Sequence, residues 1–547
     1  MSVKFWKPVA AVAVVAAIGV GVWLGRDGSR SVEAVDPATL VPEDATAVAW
    51  VDSFAEVADG LRALARKVPG TAGVVEAAEL LLDVPSLDEP GFQARGLTTA
   101  AGAVLFLWRD AWWLVTSTPR SEGAEHLATL ITRRGHPVKA TALAGVERAW
   151  AIGKRAGAET AGHMWLNGAE VVIRLGAPAV ALARGATPAE LSVDDIVAWR
   201  EAKRLAPGSL AGTEGVVHAR WTIGEDDPVR QKLRESLGPA TLLFGRYVSS
   251  FISARADLGL EDGRASLQLK MRTKPGGGAD VRRYHHGYLA KERPRLGLGA
   301  VLPDETMALA RVRINPNLAG MVAGLLRFAG GRGLGELHAS LSGLDIGGLL
   351  LSRTDGQLAV ALLGLTDEAV PDPRAWRGDR WRKQAGIAVA LSMKTDTAAK
   401  DVLERIAATL HESKVTTQPL SLGAWQGYRV ADKRSEWALL RRGMAVLCVI
   451  GDGELKRFER VRDGRFPGLA SIARANLSSD VVVGKKQWLG GVLTTGRLVR
   501  SARRRGIPDS ITAMIASIES LALGVELLDD GMVLRARLEP APTEPSK

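Results

Sequence analysis

The sequence predicts an α+β fold made by tandem duplication, in which a mainly antiparallel sheet with packed helices occurs twice behind one N-terminal transmembrane helix. Three observations predict it. The order strand, helix, two short strands and hairpin runs from Trp112 to Leu175 and returns from Ile387 onward. Both copies end in a hairpin, turning at Asp262-Gly263 and at Asp529-Asp530-Gly531. An apolar run from Pro8 to Leu24 precedes both copies. The offset between matching markers (Pro42 and Pro303, Gly168 and Gly443, Gly263 and Gly531) drifts along the chain. Drift of this kind arises when loops vary and the order of elements is kept.

Lys4 and Lys7 precede the apolar run, and Phe5, Trp6 and Trp23 flank it as interfacial anchors. This pattern places the N-terminus in the cytoplasm and exports everything after Arg26. A small-x-small site, Ala11-Val12-Ala13, lies inside the run, so the sequence favours an uncleaved signal anchor over residues 1–25 to a cleaved signal peptide. Residues 26–41 are a tether, 42–272 the first repeat, 273–300 a linker, 301–539 the second repeat, and 540–547 a disordered tail. Export argues against a cytosolic ATP-using enzyme.

In the first repeat, Ala47 to Val51 is a strand, and Ser53 caps a helix with Phe54, Val57, Leu61 and Leu64 on one face. Val104 to Trp108 and Ala111 to Thr116 form a hairpin turning at Arg109-Asp110. Both strands are apolar at almost every position, which requires cover on both faces. Thr118-Pro119 opens a helix that Gly135 stops. Asn167-Gly168 marks a hairpin, Ser192 to Arg204 a helix, Val216 to Ile223 a strand and Asp226 to Leu237 another helix. Ser250 to Glu261 and Arg264 to Arg272 form the closing hairpin.

Thr273-Lys274-Pro275-Gly276-Gly277-Gly278 is the domain boundary. The second repeat opens with a strand from Met307 to Val312. Asn317 then precedes a helix with Leu318, Met321, Val322, Leu325 and Leu326 on its apolar face. Leu349 to Leu351 and Leu358 to Leu363 read as a hairpin turning at Asp355-Gly356. Thr395 caps a helix with Ala399, Val402, Leu403, Ile406 and Leu410 inward.

Composition narrows function by exclusion. With 46% apolar and 24% charged residues over 547 positions, the chain is that of a folded multidomain protein. The net charge of +11 is spread along the chain and reads as a solvated Arg-rich surface, not as a nucleic-acid footprint. One cysteine, Cys448, excludes an intramolecular disulfide and a multi-thiolate zinc site; it sits in an apolar strand as a small hydrophobe. His126 and His411 read as solvated helix residues, and the adjacent His285 and His286 as linker. Gly331-Arg332-Gly333-Leu334-Gly335 lacks the preceding strand a dinucleotide turn needs. No lipase-type, metalloprotease or phosphate-loop motif occurs.

No catalytic residue, cofactor-binding residue or metal ligand is therefore assigned, and no cofactor is expected. The residues assigned to surface contact are Trp376 and Trp381 in a basic loop, and Arg497, Arg500, Arg503 and Arg504 on a short helix. Tryptophan beside arginine suits a sugar or a headgroup surface, and a dense arginine face suits anionic lipid.

The apolar span followed by Pro42-Glu43-Asp44-Ala45-Thr46, a strand and an amphipathic helix resembles a family of bacterial membrane-anchored exported proteins whose exported domain, of unknown function, begins Pro-x-Asp-Ala/Thr. The resemblance covers the first fifty-odd residues. It implies an envelope location and no known catalytic residues. The expectation is a non-enzymatic, single-pass envelope scaffold or protein-binding module, with the bulk of the chain in the periplasm or extracytoplasmic space. The expected partners are the inner membrane through residues 5–24 and another envelope protein or anionic lipid. A carrier of lipid or another apolar ligand is the alternative, and a hydrolase without a recognisable motif the second.

Overall fold

The computed structural model describes residues 37–68, 102–117, 121–153, 160–175, 193–223, 250–274, 302–313, 351–365, 385–431, 436–451, 487–495 and 509–541, with interruptions of one to four residues, and scattered positions elsewhere. The expected membrane helix at 5–24, the helix following Asn317, the linker after Lys274 and the helix at 226–237 lie outside the described residues. Among the described residues, no helix is long and apolar enough to cross a membrane.

The α+β expectation is corrected toward β. Strand accounts for 54% and helix for 25% of the described residues, and every registered strand pair is antiparallel. Helices appear in the sequence as strong 3.6-residue patterns. The strands are shorter and apolar on both faces, so their weight in the fold is under-read from periodicity alone.

The chain divides into two compact units, Met1–Val229 with Ile252–Lys270, and Arg230–Phe251 with Met271–Lys547. In the first, the strands are β1 (Ala47–Val51), β2 (Ala103–Trp108), β3 (Ala111–Ser117), β4 (Val138–Thr141), β5 (Ala149–Gly153), β6 (Thr160–Asn167), β7 (Glu170–Leu175), β8 (Val217–Thr222), β9 (Phe251–Glu261) and β10 (Arg264–Thr273). They pair in the order β4-β5-β6-β7-β3-β2-β1-β8-β9-β10.

The second unit contains β11 (Ala308–Arg313), β12 (Thr354–Leu365), β13 (Ala385–Met393), β14 (Thr416–Leu422), β15 (Trp425–Ala431), β16 (Glu436–Arg442), β17 (Ala445–Ile450), β18 (Gln487–Thr494), β19 (Ile518–Leu528) and β20 (Gly531–Pro540). Their order is β14-β15-β16-β17-β13-β12-β11-β18-β19-β20, which repeats that of the first unit strand for strand. β20 runs through Pro540, so the ordered chain extends past the expected start of the tail.

Helices cover both faces of the first sheet. On one side α1 (Phe54–Lys67) and α2 (Ser121–Arg133) bury Phe54, Val57, Ala58, Ala124, Leu127 and Leu130 against Val51, Met164 and Ile173. Ser53 has the extended backbone of an N-cap, but its hydroxyl makes no capping bond to the helix. On the other side α3 (Val193–Glu201) brings Ile196 and Trp199 onto Val104, Phe106, Trp113, Val115 and Trp165. The unbroken apolar runs of β2 and β3 follow from this double cover.

In the second unit α4 (Asp396–Glu412) carries a true cap, with Thr395 Oγ1 accepting from Ala398 N–H at 3.0 Å. Its Ala399, Val402, Leu403, Ile406 and Leu410 pack on Met393, Leu439 and Val446. A last short helix, α5 (Asp509–Ala516), leads into β19.

The hairpin expected at Asp355-Gly356 is also corrected. β12 is one continuous strand from Thr354 and pairs with β11 and β13, while residues 351–353 form a 3-10 turn. Gly356 takes φ +91 at an irregularity in the β12–β13 register between Thr354 and Leu358. The Asp355 carboxylate holds the kink by accepting from Gln357 N–H (3.0 Å) and Ser392 Oγ (2.7 Å). An Asp-Gly pair serves a bulge as well as a turn, since both need positive φ.

At the far end of the second sheet Glu519 faces Glu539, and Arg537 Nε lies 2.5 Å from Glu539 Oε1. Burial, reinforced by the Glu539 charge, holds the Glu519 carboxyl above the usual glutamate range. A raised folded-state value means the protonated form is favoured in the fold. The associated stability is therefore fully present at low pH and is lost as pH rises through the folded value. Glu519→Gln is expected to raise the thermal midpoint at pH 8 and to leave it unchanged below pH ~4, near the unfolded glutamate value. Equal shifts at both pH values would contradict the assignment.

Candidate functional site

The first sheet carries the one described constellation with a chemical look, built from β1, β8 and β9. Alternation on a strand sends Trp50, His218 and Asp257 to the same face, and the register sets them side by side: Trp50 opposite His218, and His218 opposite Asp257. His218 Nδ1 and Asp257 Oδ1 are 2.8 Å apart. A carboxylate only accepts, so Nδ1 carries the proton and donates. The same oxygen receives Arg255 Nε at 3.2 Å, and Arg255 Nη2 donates to Leu210 O. The imidazole stacks on Trp50 with ring centres 5.0 Å apart, and the Arg255 guanidinium lies 5.3 Å from the same ring centre.

A His–Asp pair of this geometry orients an imidazole as a base. Here, however, the side chains of His218 and Asp257 are 1% and 2% exposed, and one face of the ring is closed by Trp50. The arrangement ties β8 to β9 and anchors the Leu210 loop. The matching positions of the second sheet are Arg311, Gly490 and Gly524, so the constellation is confined to the first unit.

Beside it lies an aromatic layer. Trp113 stacks on Trp199 (5.4 Å) and Phe106 (6.4 Å) and meets Trp108 and Trp165 edge-on. Trp113 Nε1 donates to Trp108 O, and Trp108 Nε1 to Asp44 Oδ1. Arg204 lies 3.8 Å from the Trp199 ring centre and donates to Trp199 O and Leu40 O; burial pulls its guanidinium below the usual arginine value. Trp50, Phe106, Trp113, Trp165 and Trp199 are all fully buried, which makes this a packed layer.

In the second unit Arg311 and Arg313 are buried on one face of β11. Burial depresses both guanidinium values; Arg313 adds to the effect on Arg311, and Asp355 opposes it for Arg313. Burial pushes the Cys448 thiol up to about 12, so it is no nucleophile at neutral pH. Among the described residues no three His, Cys, Asp or Glu side chains group as metal ligands.

Trp376, Trp381, Arg497, Arg500, Arg503 and Arg504, the expected contact residues, all lie outside the described residues, so the structure brings none of them together. His411 is exposed on α4, whereas His126 is half-buried on α2. The His218–Asp257 pair went unseen in the sequence because it depends on β8 and β9 being neighbours. Both strands were legible, but neither shows in its residues which strand it joins.

No family model matches the sequence, and no curated protein matches it. Two solved structures share a local likeness. Crystal form IV of TP0453 is 11% identical with a TM-score of 0.26, over 46% of this chain and 85% of that one. Crystal form III of TP0453 is 11% identical with a TM-score of 0.25, over 47% and 90%. Likenesses at this level carry no argument about fold or role.

Proposed function

We propose that the protein is a non-enzymatic scaffold or protein-binding module of the bacterial envelope, belonging with the membrane-anchored exported proteins it resembles. It is held at the inner membrane through residues 5–24, with its bulk outside the cytoplasm. The observation that carries this reading is the filled first core. A carrier needs an apolar cavity, and the place where the first sheet would line one is occupied by Phe106, Trp113, Trp165 and Trp199. A hydrolase needs a reachable base, and the His218–Asp257 pair is sealed inside. The common strand order supports reading 42–272 and 301–539 as two copies of one unit, a rigid platform in duplicate.

Two measurements test this. Native mass spectrometry of the full chain purified in detergent is expected to show no lipid bound in fixed stoichiometry. A one-to-one lipid adduct across preparations would replace the scaffold by the carrier. For location, Glu412→Cys places a reactive thiol on an exposed helix end, while Cys448 stays silent. A membrane-impermeant maleimide is expected to label that thiol in intact spheroplasts; labelling only after lysis would put the bulk in the cytosol.

A further inference from the structure

In both sheets the strand order begins with an edge strand, β4 in the first and β14 in the second. Among the described residues β14 pairs with β15 alone, and Thr416, Gln418, Pro419 and Ser421 are exposed along it. An open edge presents unpaired N–H and C=O groups on which another strand can build; brevity, charge, a bulge or a proline prevents this. β4 has two of these safeguards, since it is four residues long and carries the exposed Lys139. β14 is seven residues long (Thr416-Thr417-Gln418-Pro419-Leu420-Ser421-Leu422), has no charged side chain, and keeps an unbroken register with β15. Proline is the safeguard left to it.

The hairpin geometry decides which way that proline faces. Leu422 and Trp425 close a two-residue loop in which Gly423 holds φ +61, so this pair exchanges both backbone bonds. In an antiparallel ladder such pairs alternate with non-bonded ones. Leu420 with Gly427, Gln418 with Arg429 and Thr416 with Ala431 are therefore bonded pairs, while Thr417, Pro419 and Ser421 turn their backbone groups to the open side. Pro419 thus takes no bond from β15, and it removes the N–H at the middle of the open edge.

We propose that Pro419 keeps β14 from pairing with the β14 of a second copy. Two such strands set antiparallel about residue 419 would match Thr417 with Ser421 at either end, the outward groups of each meeting those of the other. At the centre proline would face proline. Neither has an N–H to donate, and the two rings fill the space where the bonds would run. With a β-branched residue at 419 the same stretch has high strand propensity, no charge and no proline, which is the makeup of a self-associating segment.

The test compares variants of the full chain in detergent by light scattering over a concentration series. Pro419→Val is expected to lower the concentration of half-association at least about tenfold, because the central pair of bonds is restored. Adding Ser421→Pro blocks the same edge at another outward N–H and is expected to return association to the parent's level. Thr417→Pro serves in its place if thermal unfolding shows that double variant misfolded, and Pro419→Thr replaces Pro419→Val on the same ground. Gln418→Pro removes a bond to β15 instead, and is expected to lower the thermal midpoint where Ser421→Pro does so far less. Association of Pro419→Val equal to the parent's would overturn the proposal. So would association that the added proline fails to reverse, which would place the contact elsewhere, or an unchanged midpoint for Gln418→Pro, which would reverse the assigned directions.

Discussion

Trp113→Ala is expected to cost about 3–5 kcal/mol of stability, the range for deleting a large aromatic from a packed core. Trp113 is the hub of its layer: it stacks on Phe106 and Trp199, takes Trp108 and Trp165 edge-on, and its indole N–H donates to Trp108 O. Removing it leaves a void bordered by four rigid rings that cannot close in without leaving their rotamers. It also leaves the Trp108 carbonyl without this donor. Trp113→Phe keeps most of the stacking and is expected to lose about half as much or less. Val197→Ala on α3, an exposed position, is expected to fall within about 0.5 kcal/mol of the parent. Guanidinium unfolding, read as a shift of midpoint at unchanged slope, measures all three. A loss under ~1 kcal/mol for Trp113→Ala would mean that the layer is not packed as described.

The second large effect is expected at Asp257. Its carboxylate accepts from His218 and from Arg255 while almost wholly out of solvent. Asp257→Ala strips both donors of their acceptor at once, a change expected to cost about 3–5 kcal/mol. Part of the Arg255 side chain reaches solvent, so its share is screened and the greater loss falls on the buried imidazole. Asp257→Asn keeps an oxygen for His218 Nδ1–H but drops the charge facing Arg255, and is expected to lie between parent and alanine variant. A double-mutant cycle with His218→Ala separates the pair from its surroundings. Strict additivity of the two changes would contradict a coupled pair. Steady hydrolysis of an ester or glycoside by the parent, abolished by His218→Ala with the fold intact, would show instead that substrate reaches the imidazole.

Local elements were readable wherever one residue type answers one local need. Thr395 announces a helix start, and its hydroxyl makes the capping bond. A hairpin does follow at the expected place, although Asn167 is the last residue of β6 and pairs with Glu170, one position off the register in which Asn-Gly would itself form the turn. Asp262 and Gly263 both hold positive φ at the tip of the β9–β10 hairpin. The same logic failed at Asp355-Gly356, where positive φ serves a bulge inside β12; dipeptide chemistry specifies a backbone conformation and not what the chain does next. The aromatic layer was partly legible, since Trp108, Trp113 and Trp165 fall in apolar strands. That Trp199 arrives from a distant helix to complete it was not.

By itself, then, the sequence determined the succession of elements and its recurrence, because caps, turns and alternating faces act over a few residues, where neighbours along the chain are neighbours in space. The tertiary structure alone decided the predominance of strand over helix, the insertion of β1 between β2 and β8, and the burial of His218 against Asp257. Strand pairing joins segments far apart in the chain through backbone groups that every residue carries, so no side chain records which strand will lie beside which.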